Sequence, residues 1–92
     1  GFGSGDLLNY SKKLGHKTYG IEIIPELVEK SKKNGHHVEL CSALDLHNLD
    51  TEFKDFDLII IFDVLEHLYP DEIFKVLNDC RLRLKPNGKI LV

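Results

Sequence analysis

The sequence predicts an α/β fold: a doubly wound, mostly parallel sheet with helices on both faces. Three observations support this prediction. Helical and strand patterns alternate along the 92 residues, a glycine-rich segment precedes the first helix, and one nearly continuous apolar run is typical of a strand that helices cover on both sides. Strands that alternate with helices form parallel sheets through right-handed crossovers.

The first half of the chain has the pattern of two helices and two strands. Apolar residues at helical spacing run from 7 to 14 and stop at Gly15, a residue type that commonly ends helices. Residues 17–24 are β-branched and aromatic, which is typical of a strand. Pro25 begins a second helix, because proline fits the first helical turn. Residues 38–41 form the next short strand.

The second half has one long helix between two strands. Residues 56–62 are predicted as the strand at the centre of the sheet, and residues 43–55 as a connecting loop over one short turn. A helix begins at Pro70, and Pro86-Asn87-Gly88 is predicted to turn into the last strand. The apolar stripe of that helix is expected to comprise Ile73, Phe74, Val76, Leu77, Cys80, Leu82 and Leu84.

The composition is that of an ordinary globular protein. With 42% hydrophobic and 29% charged residues, it excludes collagen-like, disordered and membrane-spanning classes. The net charge of -3 argues against nucleic acid as a partner, because phosphate binding depends largely on Lys and Arg. We expect a cytoplasmic protein with no membrane partner. Cys41 and Cys80 are expected to be buried thiols, with no disulfide framework and no metal site.

The two ends of the chain predict a partial domain. In nucleotide-binding folds a glycine-rich loop follows a strand, and here the loop occupies residues 1–5. Residues 89–92 have the pattern of a strand that is still running. We therefore expect residues 1–92 to form a domain truncated at both ends.

The glycine-rich loop predicts a nucleotide-like ligand. Glycines let the backbone approach a ligand closely, and the following helix N-terminus supplies free N–H groups and partial positive charge. The dinucleotide fingerprint requires a third glycine where this chain has Asp6, whose carboxylate would repel a pyrophosphate but tolerate an ammonium or sulfonium group. Glu22 lies toward the carboxyl end of the strand predicted at residues 17–24, where a carboxylate can accept both hydroxyls of a ribose.

These motifs resemble the class I S-adenosylmethionine-dependent methyltransferases, whose fold is Rossmann-like, and the resemblance covers the whole chain. The matching segments are the loop Gly1-Phe2-Gly3-Ser4-Gly5, the acidic motif Tyr19-Gly20-Ile21-Glu22-Ile23-Ile24-Pro25, the strand from Phe56 to Ile60 with Asp63-Val64-Leu65-Glu66-His67-Leu68 after it, and the turn Leu84-Lys85-Pro86-Asn87-Gly88-Lys89-Ile90-Leu91.

The resemblance implies S-adenosylmethionine as the cofactor and a role for each matching residue. Glu22 would bind the ribose and Ile23 would pack on the adenine. Ser42 stands where the family commonly has Asp. Its hydroxyl would accept a hydrogen bond from the adenine amino group, but without the charge that strengthens such a bond to a carboxylate. The implied cofactor-binding residues are Gly1, Gly3, Gly5, Glu22, Ile23, Ser42, Ala43 and Asp63.

The implied reaction is methyl transfer to an oxygen, nitrogen or carbon of a small molecule. His67 is a candidate catalytic base, because an imidazole titrates near neutral pH. Alternatively, His67 starts or caps the next helix, and this is the interpretation we favour. Two other functions stay open: an NAD(P)-dependent oxidoreductase of the dinucleotide-binding fold, and a non-catalytic module that binds a nucleoside and regulates a partner.

Overall fold

The structure is a computed structural model that describes all residues from 1 to 92. Contacts along the chain divide it into two compact units, Gly1–Ser42 and Ala43–Val92, each of which contains a parallel pair of strands. None of the helices combines the length and the apolar character needed to cross a bilayer.

The first unit has the predicted order of helix, strand, helix and strand. Its elements are α1 (Asp6–Lys13), β1 (Tyr19–Glu22), α2 (Pro25–Lys33) and β2 (His37–Leu40). The two strands pair in parallel, with Tyr19 opposite His37 and Glu22 opposite Leu40. The carboxyl ends of both strands therefore lie side by side.

Both helices of this unit end at a glycine, and the first of these is the Gly15 that the sequence indicated. Gly15 has φ 92° and Gly35 has φ 83°, a left-handed conformation that only glycine adopts without strain. The amide after each glycine donates a hydrogen bond back to the helix. His16 N–H donates to the backbone carbonyl of Ser11, and His36 N–H donates to that of Ser31, both at 3.1 Å. These bonds satisfy carbonyls that a helix end otherwise leaves without partners.

A close approach holds the glycine-rich loop against β1. A Cβ atom at Gly20 would lie 2.7 Å from Cδ2 of Phe2 and 3.3 Å from Cδ1 of Leu8, so both side chains occupy the space that any larger residue would need. Gly20 thereby lets the start of the chain and α1 pack directly on the strand backbone.

The second unit contains β3 (Phe56–Ile60), α3 (Pro70–Arg81) and β4 (Leu84–Leu91), with 3-10 turns at Ala43–Asn48 and Leu65–His67. β3 and β4 pair in parallel. The predicted short turn in the segment 43–55 is confirmed.

Two details of the strand predictions are wrong. The run 56–62 was expected at the sheet centre with both faces covered, but β3 pairs only with β4, and Leu58 is 50% exposed. The predicted turn Pro86-Asn87-Gly88 instead lies inside β4 as a bulge. Phe56 pairs with Leu84 and Leu58 pairs with Lys89, so β4 has more residues than β3 between these two pairs. The extra residues on β4 are absorbed there without ending the strand.

The apolar stripe of α3 is narrower than its sequence indicates. Val76 and Cys80 are buried, whereas Phe74 is 74% exposed and Leu82, just after the helix, is 67% exposed. Residues one turn apart share a face, and in this unit only the face of Val76 and Cys80 is covered.

The guanidinium of Arg83 bonds to the first 3-10 turn and to the irregular segment that follows it. Its Nη1 donates to the carbonyls of Phe53 at 2.5 Å and Asp50 at 3.3 Å, and its Nη2 donates to those of Leu46 at 2.7 Å and Leu49 at 3.3 Å. One guanidinium thus donates to four carbonyls of this part of the chain, and two of them, those of Leu46 and Asp50, also accept backbone bonds from Leu49 N–H at 3.1 Å and Phe53 N–H at 3.0 Å.

Replacing Arg83 with methionine keeps an apolar stem but removes these donors. We expect Arg83→Met to lower the free energy of unfolding by about 1.5 to 3 kcal/mol, since the hydrogen bonds from a charged donor to four carbonyls are lost. Urea denaturation of the protein containing this chain measures the change. Arg81→Met is the matched control, because the side chain of Arg81 makes one exposed bond to Asn78. Equal effects in both variants would contradict the assignment.

Candidate functional site

The glycine-rich loop adopts the backbone conformation that its glycines permit. Gly3 has φ 61° and Gly5 has φ 88°. Gly5 N–H donates to the carbonyl of Phe2 at 3.2 Å, and the carbonyl of Gly5 accepts the first helical bond, from Asn9 N–H at 2.8 Å. The loop therefore turns directly into α1, and no side chain caps the helix N-terminus.

Glu22 joins this loop to the end of β1. Its side chain is 6% exposed, and Oε1 accepts a hydrogen bond from Gly3 N–H at 3.0 Å. Its Oε2 accepts bonds from the amides of Ile23 at 2.7 Å and Ile24 at 3.3 Å. A Cβ atom at Gly1 would lie 2.6 Å from Oε1, so a larger residue could not occupy that position without displacing the carboxylate.

The carboxylate of Glu22 retains capacity for a ligand. An ionised carboxylate has roughly four acceptor sites, and three backbone N–H groups use three of them here. The remaining site is on Oε1, the oxygen that faces the loop. A Cβ atom at Gly3 would meet nothing within 4 Å, so the loop is open on that side. These features fit a ligand hydroxyl beside a closely approaching backbone.

The residues predicted to contact an adenine lie shortly after the carboxyl ends of β1 and β2. Ile23, directly after Glu22, is 67% exposed and offers an apolar surface. Cys41 N–H donates to the carbonyl of Glu22 at 3.0 Å, so the chain leaves β2 beside the end of β1 and continues into the half-buried Ser42. Ala43 is half-buried and begins the 3-10 turn of the second unit.

The two cysteines differ in burial. The prediction of a buried thiol is confirmed for Cys80 and wrong for Cys41, which lies partly exposed at the end of β2. Burial, together with the neighbouring charge of Asp79, raises the pKa of the Cys80 thiol to about 11. Cys80 is therefore protonated and unreactive at neutral pH.

Asp63 and His67 belong to the second unit, in the segment that follows β3. Asp63 is exposed and has φ 55°, a left-handed conformation that aspartate tolerates better than most residues. The side chain of His67 is 75% exposed, with Nε2 at 3.9 Å from Oε1 of Glu66. His67 ends a separate 3-10 turn and does not cap α3; Tyr69 N–H instead donates to Oε1 of Glu72 at 2.9 Å.

The structure thus places six of the predicted cofactor residues within the first unit, which are Gly1, Gly3, Gly5, Glu22, Ile23 and Ser42. Asp6 lies exposed in the first turn of α1. Two carboxylates therefore accompany the loop, and this charge suits a cationic ligand better than a phosphate. No group of three or more His, Cys, Asp and Glu side chains is arranged to hold a metal ion.

Sequence reasoning missed a buried histidine in the same unit. His36 stands among polar residues in the sequence, yet it is 6% exposed, and its ring bonds to the buried Thr18 and the exposed Asn9. The available signal was the pair Asn34-Gly35, which ends α2 immediately before His36 and so turns that residue back toward the sheet.

Comparison with known proteins identifies the class to which this fold and loop belong. The family described as "Methyltransferase domain" matches residues 1–92. The chain therefore belongs to the methyltransferase domain family, and the resemblance of its motifs to class I S-adenosylmethionine-dependent methyltransferases is confirmed.

Particular relatives agree with this class. Over 90 residues the chain is 29% identical to phosphoethanolamine N-methyltransferase of Plasmodium falciparum, and the match covers 96% of this chain and 34% of that protein. The chain thus spans about a third of the length of this curated relative.

Solved structures confirm the α/β fold. A SAM-dependent methyltransferase from Archaeoglobus fulgidus superimposes with a TM-score of 0.79 at 26% identity, over 98% of this chain and 40% of that one. A TehB-like SAM-dependent methyltransferase from Corynebacterium glutamicum superimposes with a TM-score of 0.81 at 24% identity, over 98% of this chain and 49% of that one. The predicted Rossmann-like arrangement of parallel strands and helices follows from these likenesses.

The packing of Gly5 against α2 generates a prediction for Ser31. A Cβ atom at Gly5 would lie 2.9 Å from Ser31 Oγ, and this hydroxyl is buried without a hydrogen-bond partner. We expect Ser31→Ala to leave the stability unchanged or to raise it by up to about 1 kcal/mol, because the variant removes an unsatisfied polar group and alanine favours helices. Thermal unfolding checks this, and a loss of stability would show that the hydroxyl has a partner. Ser31→Val should destabilise the protein by crowding Gly5.

Proposed function

We propose that the protein containing this chain transfers a methyl group from S-adenosylmethionine to a small-molecule acceptor. The observation that carries the proposal is the buried carboxylate of Glu22, which binds the glycine-rich loop at the carboxyl end of β1 and keeps one acceptor site toward it. Family membership over the whole chain supports the same function.

Each predicted cofactor residue has a proposed role. When bound, S-adenosylmethionine would supply a sulfonium methyl group: a bond forms between the acceptor nucleophile and the methyl carbon as the carbon–sulfur bond in line with it breaks, and S-adenosylhomocysteine leaves. The glycine-rich loop admits the methionine part close to its backbone, and Glu22 accepts a ribose hydroxyl at its remaining acceptor site on Oε1. Ile23 packs on the adenine, whose edge Ser42 and Ala43 read. Asp63, in its left-handed turn after β3, is proposed to face the cofactor.

Charge supports this cofactor over a dinucleotide. Glu22 and Asp6 place two negative charges at the loop, and Asp6 occupies the position where the dinucleotide fingerprint has its third glycine. A pyrophosphate there would be repelled, whereas a sulfonium and an ammonium would be attracted. Together with the family match, this argues against the NAD(P)-dependent oxidoreductase that the residues alone left open.

The acceptor is proposed to be an oxygen, nitrogen or carbon of a small molecule. The relative from Plasmodium falciparum is by name an N-methyltransferase of phosphoethanolamine, which supports a small amine among these acceptors. The net charge of -3 argues against a nucleic acid. That residues 1–92 form one partial cofactor-binding domain, and that the protein is cytoplasmic, stay predictions.

Positioning is expected to supply much of the catalysis. Holding the acceptor, methyl and sulfur in line contributes up to roughly 7 to 11 kcal/mol in well-oriented reactions, and no dedicated nucleophile is required from the chain. A non-catalytic nucleoside-binding module would share the cofactor contacts. A screen of methyl acceptors with the full-length protein separates the two functions, because such a module binds S-adenosylmethionine without turnover.

Glu22→Ala tests the cofactor assignment. We expect the variant to weaken S-adenosylmethionine binding by about 1.5 to 3 kcal/mol, roughly 10- to 150-fold, because it removes charge-assisted bonds to the ribose and frees Gly3 N–H. Titration calorimetry on the full-length protein measures the loss. Glu39→Ala, an exposed glutamate on β2, is the matched control and should bind normally. Unchanged affinity in a folded Glu22→Ala variant would refute the assignment.

His67→Ala separates a general base from a surface residue. Because the imidazole is 75% exposed and bonds to no buried group, we expect normal thermal stability and turnover within about threefold of the parent protein. The rate is measured with saturating acceptor, well below the melting temperature. A general base would instead contribute roughly 10² to 10⁴ in rate, so a loss of that size would assign catalysis to His67.

A further inference from the structure

The imidazole of His36 is buried and lies outside the proposed cofactor contacts, bonded to the buried Thr18 and the exposed Asn9. Its Nε2 is 2.7 Å from Oδ1 of Asn9, and its Nδ1 is 2.5 Å from Oγ1 of Thr18. His36 is 6% exposed and Thr18 is 8% exposed. We call Thr18, His36 and Asn9 the histidine cluster. It joins α1, the residue before β1 and the residue before β2, which are distant in sequence.

The partners of the ring match its neutral form. With a proton on Nε2, His36 donates to the amide oxygen of Asn9 and accepts at Nδ1 from the hydroxyl of Thr18, so both ring nitrogens are satisfied. A second proton on Nδ1 would turn that acceptor into a donor. The Thr18 hydroxyl would then have to accept, and its own hydrogen would lose its buried partner.

The surroundings also disfavour the charged form. Burial lowers the pKa of His36 below its ordinary value of 6.5, and the positive charge of Lys12 lowers it further. Lys12 lies on α1 and donates from Nζ to the carbonyls of Asn34 at 3.1 Å and Gly35 at 3.3 Å, directly before the histidine. The side chains bonded to the ring, Thr18 and Asn9, are neutral.

The histidine cluster is connected to the proposed cofactor site through backbone. Asn9 is the residue whose N–H bonds to the carbonyl of Gly5 at 2.8 Å and so closes the first turn of α1 after the glycine-rich loop. Thr18 directly precedes β1, which ends at Glu22. One imidazole therefore joins the helix that fixes the loop to the strand that carries the ribose-binding carboxylate.

We infer that His36 is a positioning residue for the cofactor site, and that the histidine cluster holds the glycine-rich loop in its binding geometry only while the imidazole is neutral. The inference rests on the proposed function, because the ligand whose binding it controls is S-adenosylmethionine. His36 itself bonds to Thr18 and Asn9 and not to the loop.

The sign of the pH effect follows from the direction of the pKa shift. Between the lowered pKa of folded His36 and the value of 6.5 in the unfolded chain, the unfolded chain binds more protons. The contribution of the neutral histidine is therefore fully present above about pH 6.5 and is lost as the pH falls through the folded pKa. Cofactor affinity falls in the same direction, because the binding-competent fraction decreases.

Calorimetric titration of the full-length protein with S-adenosylmethionine tests the inference, at about pH 7.5 and in steps down to about pH 5. The dissociation constant of the parent protein should double where half of the imidazole is protonated and rise by more below that pH. His36→Phe should bind more weakly at neutral pH and show no such rise. His37→Phe is the control: His37 stacks on Tyr19 in the exposed part of β2, and the variant should keep the parent profile.

A steady-state measurement distinguishes positioning from general stability. His36→Phe should raise the KM for S-adenosylmethionine and leave kcat at saturating cofactor unchanged, whereas a merely structural residue would lower the melting temperature with no change in KM. If His36→Phe fails to fold, Thr18→Val removes the hydroxyl bonded to Nδ1 with little change of shape and should produce the same rise in KM.

The outcomes separate this inference from the proposed function. If the parent protein binds no S-adenosylmethionine at any pH, the proposed function is wrong and the inference is wrong with it. If the parent protein binds the cofactor, but its affinity does not change over a pH range in which the His36 imidazole becomes protonated, the inference alone is overturned. A folded His36→Phe variant with the affinity and pH profile of the parent protein would also overturn it.

Discussion

The buried carboxylate of Glu22 is the constraint on which the rest of the first unit depends. Removing a charge from water is costly unless hydrogen bonds compensate, and here the compensation comes from three backbone N–H groups rather than from a cation. One of them belongs to Gly3, so the end of β1 and the glycine-rich loop stabilise one another. The same carboxylate limits the first position of the loop to glycine, since Gly1 has no room for a side chain.

The order and type of the elements were predictable because their signals are local. Gly15 and Gly35 end helices by a backbone conformation that other residues avoid, and Pro25 starts one. Exposure and register were not predictable in this way. That Leu58 is half exposed, and that the turn at residues 86–88 becomes a bulge, depends on which strand pairs with β3 and in which register. These are properties of distant partners, and an apolar run does not encode them.

The same distinction applies to the candidate site. The glycine-rich loop and Glu22 were predicted because each belongs to a short motif with a known chemical use. The role of His36 was not, since its partners lie 27 and 18 residues away in the sequence. Arg83 was missed for the same reason, with carbonyl partners 30 to 37 residues away. A side chain that joins distant segments has no local pattern, and only the folded chain shows it.

The number and kind of hydrogen-bond partners explain why we propose different roles for two buried titratable groups of the first unit. Glu22 meets only donors, which suits a carboxylate, and after three bonds it still has an acceptor site for a ligand hydroxyl. His36 meets an amide oxygen and a hydroxyl, which together satisfy both ring nitrogens of a neutral imidazole and leave neither free. A group with spare capacity can bind a ligand, whereas a saturated group can only hold its neighbours in place. The roles that we propose, binding for Glu22 and positioning for His36, therefore follow from the number and kind of their partners.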